Sequence, residues 1–364
     1  MSDLLIDVRT GPDAHHPIRI APGLAGRLGP AVAESCTDAS RVYLASSPRV
    51  WRIVGSTVLA GMPVPADRVL LVPDGERSKT LATMTRLLDA LVADGADRKA
   101  VLVAVGGGVL GDMAGFAAAT YLRGIRLVHV PTTVVGQVDS AIGGKVGVNH
   151  RLGKNLIGAF HQPALVAIDP DLLRTLSRRE LRAGLYEVVK YAVIASADLW
   201  ARLERDMPAL LRGDEAALLP VIEACARIKA DVVSRDEREQ GLRRILNFGH
   251  TIGHALEAVS RYRLLRHGEA VAYGMRAASA MAVDRGSWPA AEHAALCALL
   301  DGMGPLPSVA ALDADDCLAA MGRDKKTVAG RLHFVLPTRM GETTVVNDVT
   351  TRQVRRALAV IGVR

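Results

Sequence analysis

Aromatic residues are scarce in this sequence of 364 residues, where Phe, Trp and Tyr together make up 4%. Proteins that bind single-stranded nucleic acid stack bases on aromatic rings, so this scarcity argues against that class of partner. Hydrophobic residues (49%) and charged residues (23%) occur in ordinary globular proportions, which excludes wholesale disorder. A chain of this length usually outgrows a single hydrophobic core, and we therefore expect two domains.

Cysteine and long apolar runs are also lacking. The four cysteines lie far apart without a CxxC pair, so we expect buried free thiols rather than disulfides or a cysteine zinc site. No uncharged apolar run reaches the ~18 residues that span a bilayer. Acidic residues interrupt the short apolar stretch after Met1, unlike in a secretory signal. These absences predict a cytoplasmic protein with no membrane partner.

Basic residues are in excess, since 45 Lys and Arg stand against 38 Asp and Glu for a net charge of +7. Such an excess indicates nucleic acid, an acidic surface or a small anionic substrate. Long basic runs are absent, because Arg178-Arg179 and Lys325-Lys326 are only pairs. This scatter favours anion contacts at one small-molecule site over a nucleic-acid surface.

Strand-length apolar segments alternate with helical patterns in the first half of the chain. The alternation predicts a parallel sheet covered by helices. The apolar segments lie at residues 41–45, 68–72, 101–105 and 126–130, and one clear helical pattern fills residues 80–94.

The second half of the chain has a different secondary-structure pattern. Long amphipathic helical patterns fill residues 178–234 and 249–304, and strand signals occur only near 332–336 and 343–346. We therefore predict an α/β N-terminal domain with a parallel sheet at residues 1–177. A mostly α-helical C-terminal domain is predicted at residues 178–364.

A glycine-rich turn follows the predicted strand at 101–105. It reads Gly106-Gly-Gly-Val-Leu-Gly111 and leads into Asp112 and an alanine-rich helical stretch. This is formally GxGxxG, in which glycines let backbone amides approach a pyrophosphate at a helix N-terminus. The turn lies about 100 residues into the chain, and no acid follows about 20 residues later to bind a ribose. The pattern predicts a dinucleotide site of unusual layout, with a tightly packed glycine turn as the alternative.

Two histidines, His250 and His254, are spaced i and i+4 and so share one face of a predicted helix, and His267 follows. A threonine follows His250, which excludes the HExxH motif of zinc peptidases. Histidine and carboxylate ligands suit zinc or another divalent ion, and Glu187 is one candidate carboxylate among many. We interpret the glycines that flank the histidines as keeping this helix face open. The alternative is a structural histidine pair.

Lys145 and Lys154 lie among glycines and small residues rather than among other charges. A lysine in that setting is typically held toward a ligand, as phosphate-binding lysines are. We therefore predict that residues 139–155 form a glycine-rich loop that contacts an anion.

Together these segments resemble the 3-dehydroquinate synthase family, which belongs to the sugar-phosphate cyclases and shares a fold with glycerol dehydrogenase. The resemblance runs from about residue 74 to residue 337 and rests on ordered motifs at matching intervals. These motifs are Asp74–Lys79, the glycine turn with Asp112, Tyr121–Gly124, Pro131–Thr133, Gly143–Lys145, Glu187–Lys190, Arg243–His254, His267–Glu269 and Asp324–Lys326.

The resemblance implies that NAD is a cofactor of the N-terminal domain. The positions that match the family's NAD-binding residues are Asp74, Glu76, Lys79, Gly107, Gly108, Val109, Leu110, Gly111, Asp112, Thr132, Thr133, Lys145, Lys154 and Thr175.

The resemblance also implies that Glu187, His250 and His267 ligate zinc or cobalt in the C-terminal domain. It places His254 beside the metal as a residue that assists proton transfer, whereas the histidine pattern alone would make both helix histidines ligands. A small anionic, phosphorylated sugar acid is the implied substrate. The positions that match its carboxylate, hydroxyl and phosphate contacts are Arg123, Lys145, Asn155, Lys190, Lys229, Glu239, Arg243, Asn247 and one of Lys325 or Lys326, and Asp139 is a further candidate catalytic residue.

The implied reaction converts 3-deoxy-D-arabino-heptulosonate 7-phosphate to 3-dehydroquinate and phosphate. It proceeds through transient oxidation by NAD, phosphate elimination, re-reduction and intramolecular aldol closure, so NAD is regenerated in each turnover. By analogy with the family we also expect a homodimer.

Three positions depart from the commonest family pattern. Val146 stands where threonine is usual, Ser177 stands where proline is usual, and residues 45–48 offer no acid for the adenosine ribose.

Other functional classes are alternatives. One is a sister cyclase, namely an aminodehydroquinate, epi-valiolone or deoxy-inosose synthase. Arg243, Asn247 and Asn155 argue against the last two, because they match carboxylate- and hydroxyl-binding positions. The others are a glycerol dehydrogenase-type oxidoreductase and a non-catalytic metal or nucleotide binder.

Overall fold

The computed structural model describes residues 3–11, 15–151, 153–322, 327–328 and 331–364. The chain forms two compact units. Unit 1 comprises residues 1–177 and 218–238, and unit 2 comprises residues 178–217 and 239–364. The segment 218–238 thus groups with the α/β part, and the assignment of separate functions to residues 1–177 and 178–364 stays a prediction.

Strands and helices follow one another through the described residues. The strands are β1 Leu4–Arg9, β2 His15–Ile20, β3 Val42–Ser46, β4 Val69–Leu71, β5 Val101–Gly106, β6 Arg126–Pro131, β7 Lys145–His150, β8 Gly153–Phe160, β9 Leu165–Ile168, β10 Thr327–Val328, β11 Arg331–Leu332, β12 Phe334–Arg339 and β13 Glu342–Val346. The helices are α1 Leu28–Ser35, α2 Pro48–Gly61, α3 Leu81–Ala93, α4 Gly108–Thr120, α5 Arg178–Ala195, α6 Ala197–Arg212, α7 Glu215–Arg235, α8 His250–Val259, α9 His267–Asp284, α10 Ala290–Gly302, α11 Ala314–Gly322 and α12 Thr351–Val360.

Unit 1 is built on a seven-stranded sheet with the order β1-β2-β9-β6-β5-β3-β4. β1 and β2 pair antiparallel at one edge, and the remaining neighbours pair parallel. The predicted parallel sheet is therefore confirmed, with an antiparallel edge hairpin that the apolar pattern did not indicate.

The interior strand β5 is buried along its whole length because helices cover both faces of the sheet. Leu102 and Ala104 belong to a core cluster with residues of α3 and α4. Val101, Val103 and Val105 belong to a second cluster with residues of α1 and α2. Burial on both faces explains why the segment is apolar without alternation. The glycine turn therefore follows a strand that packing holds on both sides.

β7 and β8 form an antiparallel hairpin, and the prediction of a glycine-rich loop at residues 139–155 is wrong for its second half. Glycines permit the close strand pairing, because a Cβ on Gly158 would lie 2.2 Å from the backbone oxygen of Val146. Val146 and Val148 are buried in the core cluster that contains α4 residues. The valine that replaces the family's usual threonine thus makes an apolar core contact.

Unit 2 is mainly helical and carries the antiparallel hairpin of β12 and β13. The helical stretches predicted from residue 178 onward are confirmed, as are the two strand signals near the C-terminus. Part of the first stretch lies outside this unit, because α7 belongs to unit 1 from Leu218 onward.

Glycines bring the backbones of three helices in unit 2 close together. A Cβ on Gly268 would lie 1.8 Å from the backbone oxygen of Ala183 on α5. A Cβ on Gly274 of α9 would lie equally close, 1.8 Å, to the backbone oxygen of Gly249, which precedes α8. A Cβ on Gly253 would lie 3.0 Å from the backbone oxygen of Ala270. The glycines beside the histidines therefore pack against a neighbouring helix, and the expectation that they leave an open face is wrong.

Two expectations drawn from absences concern the whole chain. Within the described ranges, no helix combines the length and the apolar character needed to cross a membrane. Cys36, Cys225 and Cys317 are buried thiols and Cys297 is partly exposed. The expectation of buried thiols rather than disulfides is confirmed for three of the four cysteines.

Candidate functional site

The glycine turn of unit 1 lies between β5 and α4. Gly107 is the N-cap of α4, and no described side chain caps this helix end by a hydrogen bond. The first N–H groups of a helix have no partner within it, and the helix dipole makes this end positive. Side chains would crowd the turn, since a Cβ on Gly107 would lie 3.0 Å from Cγ2 of Thr133, and one on Gly108 would lie 2.7 Å from Oγ of Ser140. The arrangement is suited to a pyrophosphate.

Five predicted ligand-binding residues form two linked groups near the start of α4. The buried Lys79 donates to the carboxylate of Asp112 and to the side-chain oxygen of Asn155. Burial raises the pKa of Asp112, although the charge of Lys79 opposes this shift. Glu76, in the same turn as Lys79, has its Oε1 3.6 Å from Nζ of Lys154. The structure therefore brings predicted cofactor residues into contact with the predicted substrate residue Asn155.

The remaining predicted cofactor residues lie on separate turns. Thr132 follows β6, and its N–H donates to the carbonyl of Gly106 at 3.0 Å, beside the glycine turn. Thr133 Oγ1 accepts from the N–H of Gly136 at 3.0 Å. Asp74 and Thr175 are exposed, the first in a loop and the second at the end of the turn Pro170–Thr175.

Lys229 of α7 donates to the carboxylate of Asp139 within unit 1. Asp139 lies in the π-helical turn Gly136–Ser140, and Lys229 is buried. This pair explains in part how residues 218–238 group with the α/β part of the chain. Lys145, at the start of β7, is exposed.

Three predicted substrate residues have a left-handed backbone conformation. The φ angles are 69° at Arg123, 50° at Asn155 and 59° at Glu239. A residue with a Cβ is strained in this region by about 1–3 kcal/mol, and such strain concentrates at functional sites. Six non-glycine residues of the described ranges have positive φ, so half of them are predicted substrate positions. The concentration supports a functional role for these three segments.

Unit 2 brings one carboxylate and three imidazoles together from three helices. Glu187 lies on α5, His250 and His254 on α8, and His267 at the start of α9. Oε1 of Glu187 lies 3.5 Å from Nε2 of His250 and 3.2 Å from Nε2 of His267. The ring centroids are 5.2 to 5.8 Å apart, and ligand atoms of the three histidines lie within 4.8 Å of one another. These distances suit the set Glu187, His250 and His267 as well as the set of three histidines.

Glu187 and Lys190 form a fully buried ion pair on α5. Both residues are 0% exposed, and Nζ of Lys190 lies 2.8 Å from Oε2 of Glu187. Burial opposes ionisation of Glu187, but the charges of Lys190, His250 and His267 lower its pKa below the ordinary value. A buried carboxylate requires such neighbours, because an uncompensated charge in the interior is costly. These neighbours therefore favour the charged form of the Glu187 carboxylate, the form in which a carboxylate binds a metal.

Glu257 is a buried residue of this cluster that the sequence analysis missed. Its Oε2 lies 3.3 Å from Nδ1 of His267. Burial alone would lower the pKa of His267, but the carboxylates of Glu257 and Glu187 raise it to about 10. The helical spacing was the available signal, because residue 257 follows His250 by two turns and shares its face.

Each histidine that approaches Glu187 has a partner for its second nitrogen. Nδ1 of His250 donates to the carbonyl of Phe248 at 3.1 Å, and Nδ1 of His267 lies against Glu257. A donating Nδ1 leaves Nε2 as the ligand atom, and metal-binding imidazoles are typically oriented in this way. The two Nε2 atoms that face Glu187 are therefore the ones available to a metal.

The other predicted substrate residues of unit 2 lie before α8. Asn247 donates to the carboxylate of Glu239, and Arg243 is 1% exposed within the turn Leu242–Asn247. Lys325 and Lys326 lie outside the described residues.

Two sequence models of one family match consecutive parts of the chain. The model of the 3-dehydroquinate synthase N-terminal region matches residues 69–183, and that of the C-terminal region matches residues 184–327. The chain belongs to the 3-dehydroquinate synthase family. The predicted resemblance is thereby confirmed, and the family limits extend upstream of residue 74, where the motif comparison began.

A curated relative supports the same family over nearly the whole length. The 3-dehydroquinate synthase of Nostoc punctiforme is 45% identical over 352 residues, which cover 95% of this chain and 97% of the relative.

Two solved structures share the fold. The 2-epi-5-epi-valiolone synthase of Streptomyces hygroscopicus subsp. jinggangensis, with NAD+ and Zn2+ bound, has a TM-score of 0.86 at 31% identity and covers 97% of this chain and 98% of its own. A 2-deoxy-scyllo-inosose synthase complexed with carbaglucose-6-phosphate, NAD+ and Co2+ has a TM-score of 0.82 at 27% identity, with 99% of each chain covered. The predicted fold class is confirmed by these neighbours.

Proposed function

We propose that this protein catalyses the conversion of 3-deoxy-D-arabino-heptulosonate 7-phosphate to 3-dehydroquinate and phosphate. The observation that carries the proposal is the match of both 3-dehydroquinate synthase models across residues 69–327, together with the relative that is 45% identical. The buried carboxylate and histidine cluster supports an enzyme rather than a passive binding protein.

The glycine turn and its neighbours fit NAD. A Cβ on Gly107 or Gly108 would crowd Thr133 or Ser140, and the positive end of α4 faces the turn. Glu76, Lys79 and Lys154 would contact the cofactor from one side. NAD supplies a hydride acceptor that returns the hydride within the same turnover, so no external reductant is needed.

The cluster of unit 2 fits a divalent metal. Its carboxylate and imidazole donors suit zinc and cobalt, and we propose Glu187, His250 and His267 as the ligands. The metal supplies positive charge that lowers the pKa of a bound hydroxyl. His254, with its ring 5.4 Å from that of His250, would accept and return the substrate proton. Glu257 holds His267 in its orientation.

Basic, amide and carboxylate side chains would contact the charged ends and the hydroxyls of the substrate. The proposed contacts follow the family positions. They are Arg123, Asp139, Lys145, Asn155, Lys190, Lys229, Glu239, Arg243, Asn247 and Lys325 or Lys326. Fixing one molecule at its carboxylate and its phosphate favours the intramolecular steps by proximity.

We also propose that the protein acts in the cytoplasm as a homodimer. Both statements rest on analogy with the family.

The test is to incubate the zinc- or cobalt-loaded protein with the heptulosonate phosphate and a catalytic amount of NAD. One phosphate released per substrate, without net NADH, is the expected result. NADH that accumulates with a simple polyol and no phosphate release would indicate an oxidoreductase instead. Phosphate released only from a seven-carbon sugar phosphate that lacks the carboxylate would indicate a sister cyclase.

Two histidine variants, one within the proposed metal site and one outside it, provide a matched comparison for this assay. His267→Ala should abolish turnover and reduce the bound metal, whereas His15→Ala, at a side chain that is 64% exposed, should leave both unchanged. Retained activity with unchanged metal content in His267→Ala would refute its assigned role.

A further inference from the structure

The β7–β8 hairpin departs from regular pairing at Asn149. Val148 pairs with Ile157 and His150 pairs with Gly153, so Asn149 alone lies opposite residues 154–156. The middle residue of that bulge, Asn155, has a φ of 50°. Bulges redirect side chains and recur beside active sites, and asparagine adopts the left-handed conformation more readily than most residues with a Cβ.

The side chain of Asn149 makes the contacts that hold this bulge. Its oxygen accepts a hydrogen bond from the backbone N–H of Asn155 at 2.9 Å. Its nitrogen donates to Oε1 of Glu76 at 2.7 Å and approaches the carbonyl of Glu76 at 3.3 Å. The backbone N–H of Asn149 donates to the carbonyl of Lys79 at 2.8 Å. One residue thus ties the turn that contains Glu76 to the bulge that contains Asn155.

We infer that Asn149 is a positioning residue that holds the carboxylate of Glu76 and the bulged Asn155 in fixed relation. The inference rests on the proposed function, because Glu76 and Lys154 belong to the proposed cofactor residues and Asn155 to the proposed substrate residues. Asn149 needs no contact with either ligand. It acts through Glu76, whose Oε1 also lies 3.6 Å from Nζ of Lys154.

The chemistry of the amide explains why asparagine serves here. One end must donate to a carboxylate, and the other end must accept from a backbone N–H. Aspartate at this position can accept from Asn155, but it faces Glu76 with a second negative charge. Alanine satisfies neither partner.

The first variant, Asn149→Ala, removes both contacts. We expect the dissociation constant of NAD and the KM of the sugar phosphate each to rise about tenfold, with kcat changed less than about threefold. NAD binding is measured by titration calorimetry without substrate, so this readout is independent of turnover. Unchanged NAD affinity and unchanged KM in a folded variant would overturn the inference.

A pair of variants tests the direction of the hydrogen bond. Asn149→Asp should weaken NAD binding more than Asn149→Ala does. The double variant Asn149→Asp with Glu76→Gln restores one amide-to-carboxylate bond in the reverse direction. We expect it to bind NAD about tenfold more tightly than Asn149→Asp alone, while Glu76→Gln alone binds more weakly than the wild type. A double variant whose loss of NAD affinity equals the sum of the two single losses in free energy would overturn the inference.

Two controls separate the possible failures. Asn347→Asp makes the same chemical change at an exposed position and should leave NAD affinity and KM unchanged. The double variant carries the test if Asn149→Ala does not fold, since it preserves the size of both side chains. A wild-type protein that does not bind NAD contradicts the proposed function, whereas one that binds NAD without dependence on residue 149 contradicts only this inference.

Discussion

In unit 1 the proposed cofactor residues stand on turns and strand ends, whereas in unit 2 the proposed metal ligands are side chains of closely packed helices. Glycine serves both arrangements, but differently. Gly107 leaves backbone amides accessible at the start of α4, and Gly268 lets α9 approach the backbone of α5. A ligand-binding turn depends on local backbone shape, while the metal cluster depends on how three helices pack.

Histidines show the same contrast. In unit 1, burial lowers the pKa of His129 to about 3, because its neighbours do not compensate a positive charge. In unit 2, burial acts on His267 too, but the carboxylates of Glu257 and Glu187 raise its pKa to about 10. Burial alone keeps a histidine neutral, and burial among carboxylates creates a place for a cation.

The largest expected effect is at Glu187 in unit 2. Glu187→Gln removes the carboxylate that faces His250, His267 and Lys190, so metal content should fall and turnover should drop about a thousandfold or more. Metal analysis measures the metal content, and phosphate release measures the turnover. Glu204→Gln, at an exposed position of α6, is the control and should change neither. A Glu187→Gln protein that keeps its metal would break the contrast between the units.

Helix packing in unit 2 is tested by Gly268→Ala. The added Cβ would lie 1.8 Å from the backbone oxygen of Ala183, so α9 must shift, at a cost of about 3 kcal/mol in the free energy of unfolding. Gly302→Ala is the matched control, because a Cβ there meets nothing within 4 Å. Denaturant unfolding measures both. Equal stability of the two variants would show that close packing does not constrain this unit.

Acid should destabilise unit 1 through His16 and His129. Burial lowers their folded pKa values to about 4 and about 3, whereas an unfolded histidine titrates near ~6.5. Between these values the unfolded chain binds more protons. Stability is therefore fully present above pH ~6.5 and falls as the pH decreases, by roughly 2 kcal/mol per histidine at pH ~5.

The pH effect is measured by denaturant unfolding of wild type and His129→Gln at two pH values. The variant should lose about half of the combined histidine effect. An unchanged pH dependence in His129→Gln would contradict the neutral burial of this residue.

Glu257→Gln tests the contribution of Glu257 to metal binding, because it leaves the proposed ligands in place. Loss of the charge beside Nδ1 of His267 should weaken metal binding about 10- to 100-fold, with less effect on the fold than Glu187→Gln. Competition with a chelator measures the affinity. Glu204→Gln is again the control. Equal metal affinities of Glu257→Gln and the wild type would contradict a role for Glu257 in the site.

The smallest expected effect is that of Gly107→Ala in unit 1. Its Cβ would lie 3.0 Å from Cγ2 of Thr133, a side chain that can move slightly, so stability should change little. NAD affinity should fall about tenfold, because the methyl group crowds the amides at the start of α4. Calorimetric titration measures the NAD affinity, and thermal unfolding measures the stability. A large loss of stability with unchanged affinity would reverse the roles assigned to glycine in the two units.

Local patterns explain what could be predicted. The strand, glycine turn and helix at residues 101–120 are consecutive, and the pair His250 and His254 lies on one helix, so spacing alone indicated both. The β7–β8 hairpin was missed because its glycines favour close strand pairing as readily as a loop. Glu257 was missed because many glutamates share helical spacing with some histidine, and only packing selects one of them.

The amino-acid sequence by itself determined the alternation of strands and helices, the glycine turn, the histidine pair and the family. These follow from periodicity and short spacings, which act between residues that are neighbours in the chain. Only the tertiary structure decided that Glu187 on α5 meets His250 and His267, that α7 returns Lys229 to Asp139, and that Asn149 joins Glu76 to Asn155. Such contacts join residues far apart in sequence, and they depend on which backbones glycine allows to approach and which buried charges require a partner.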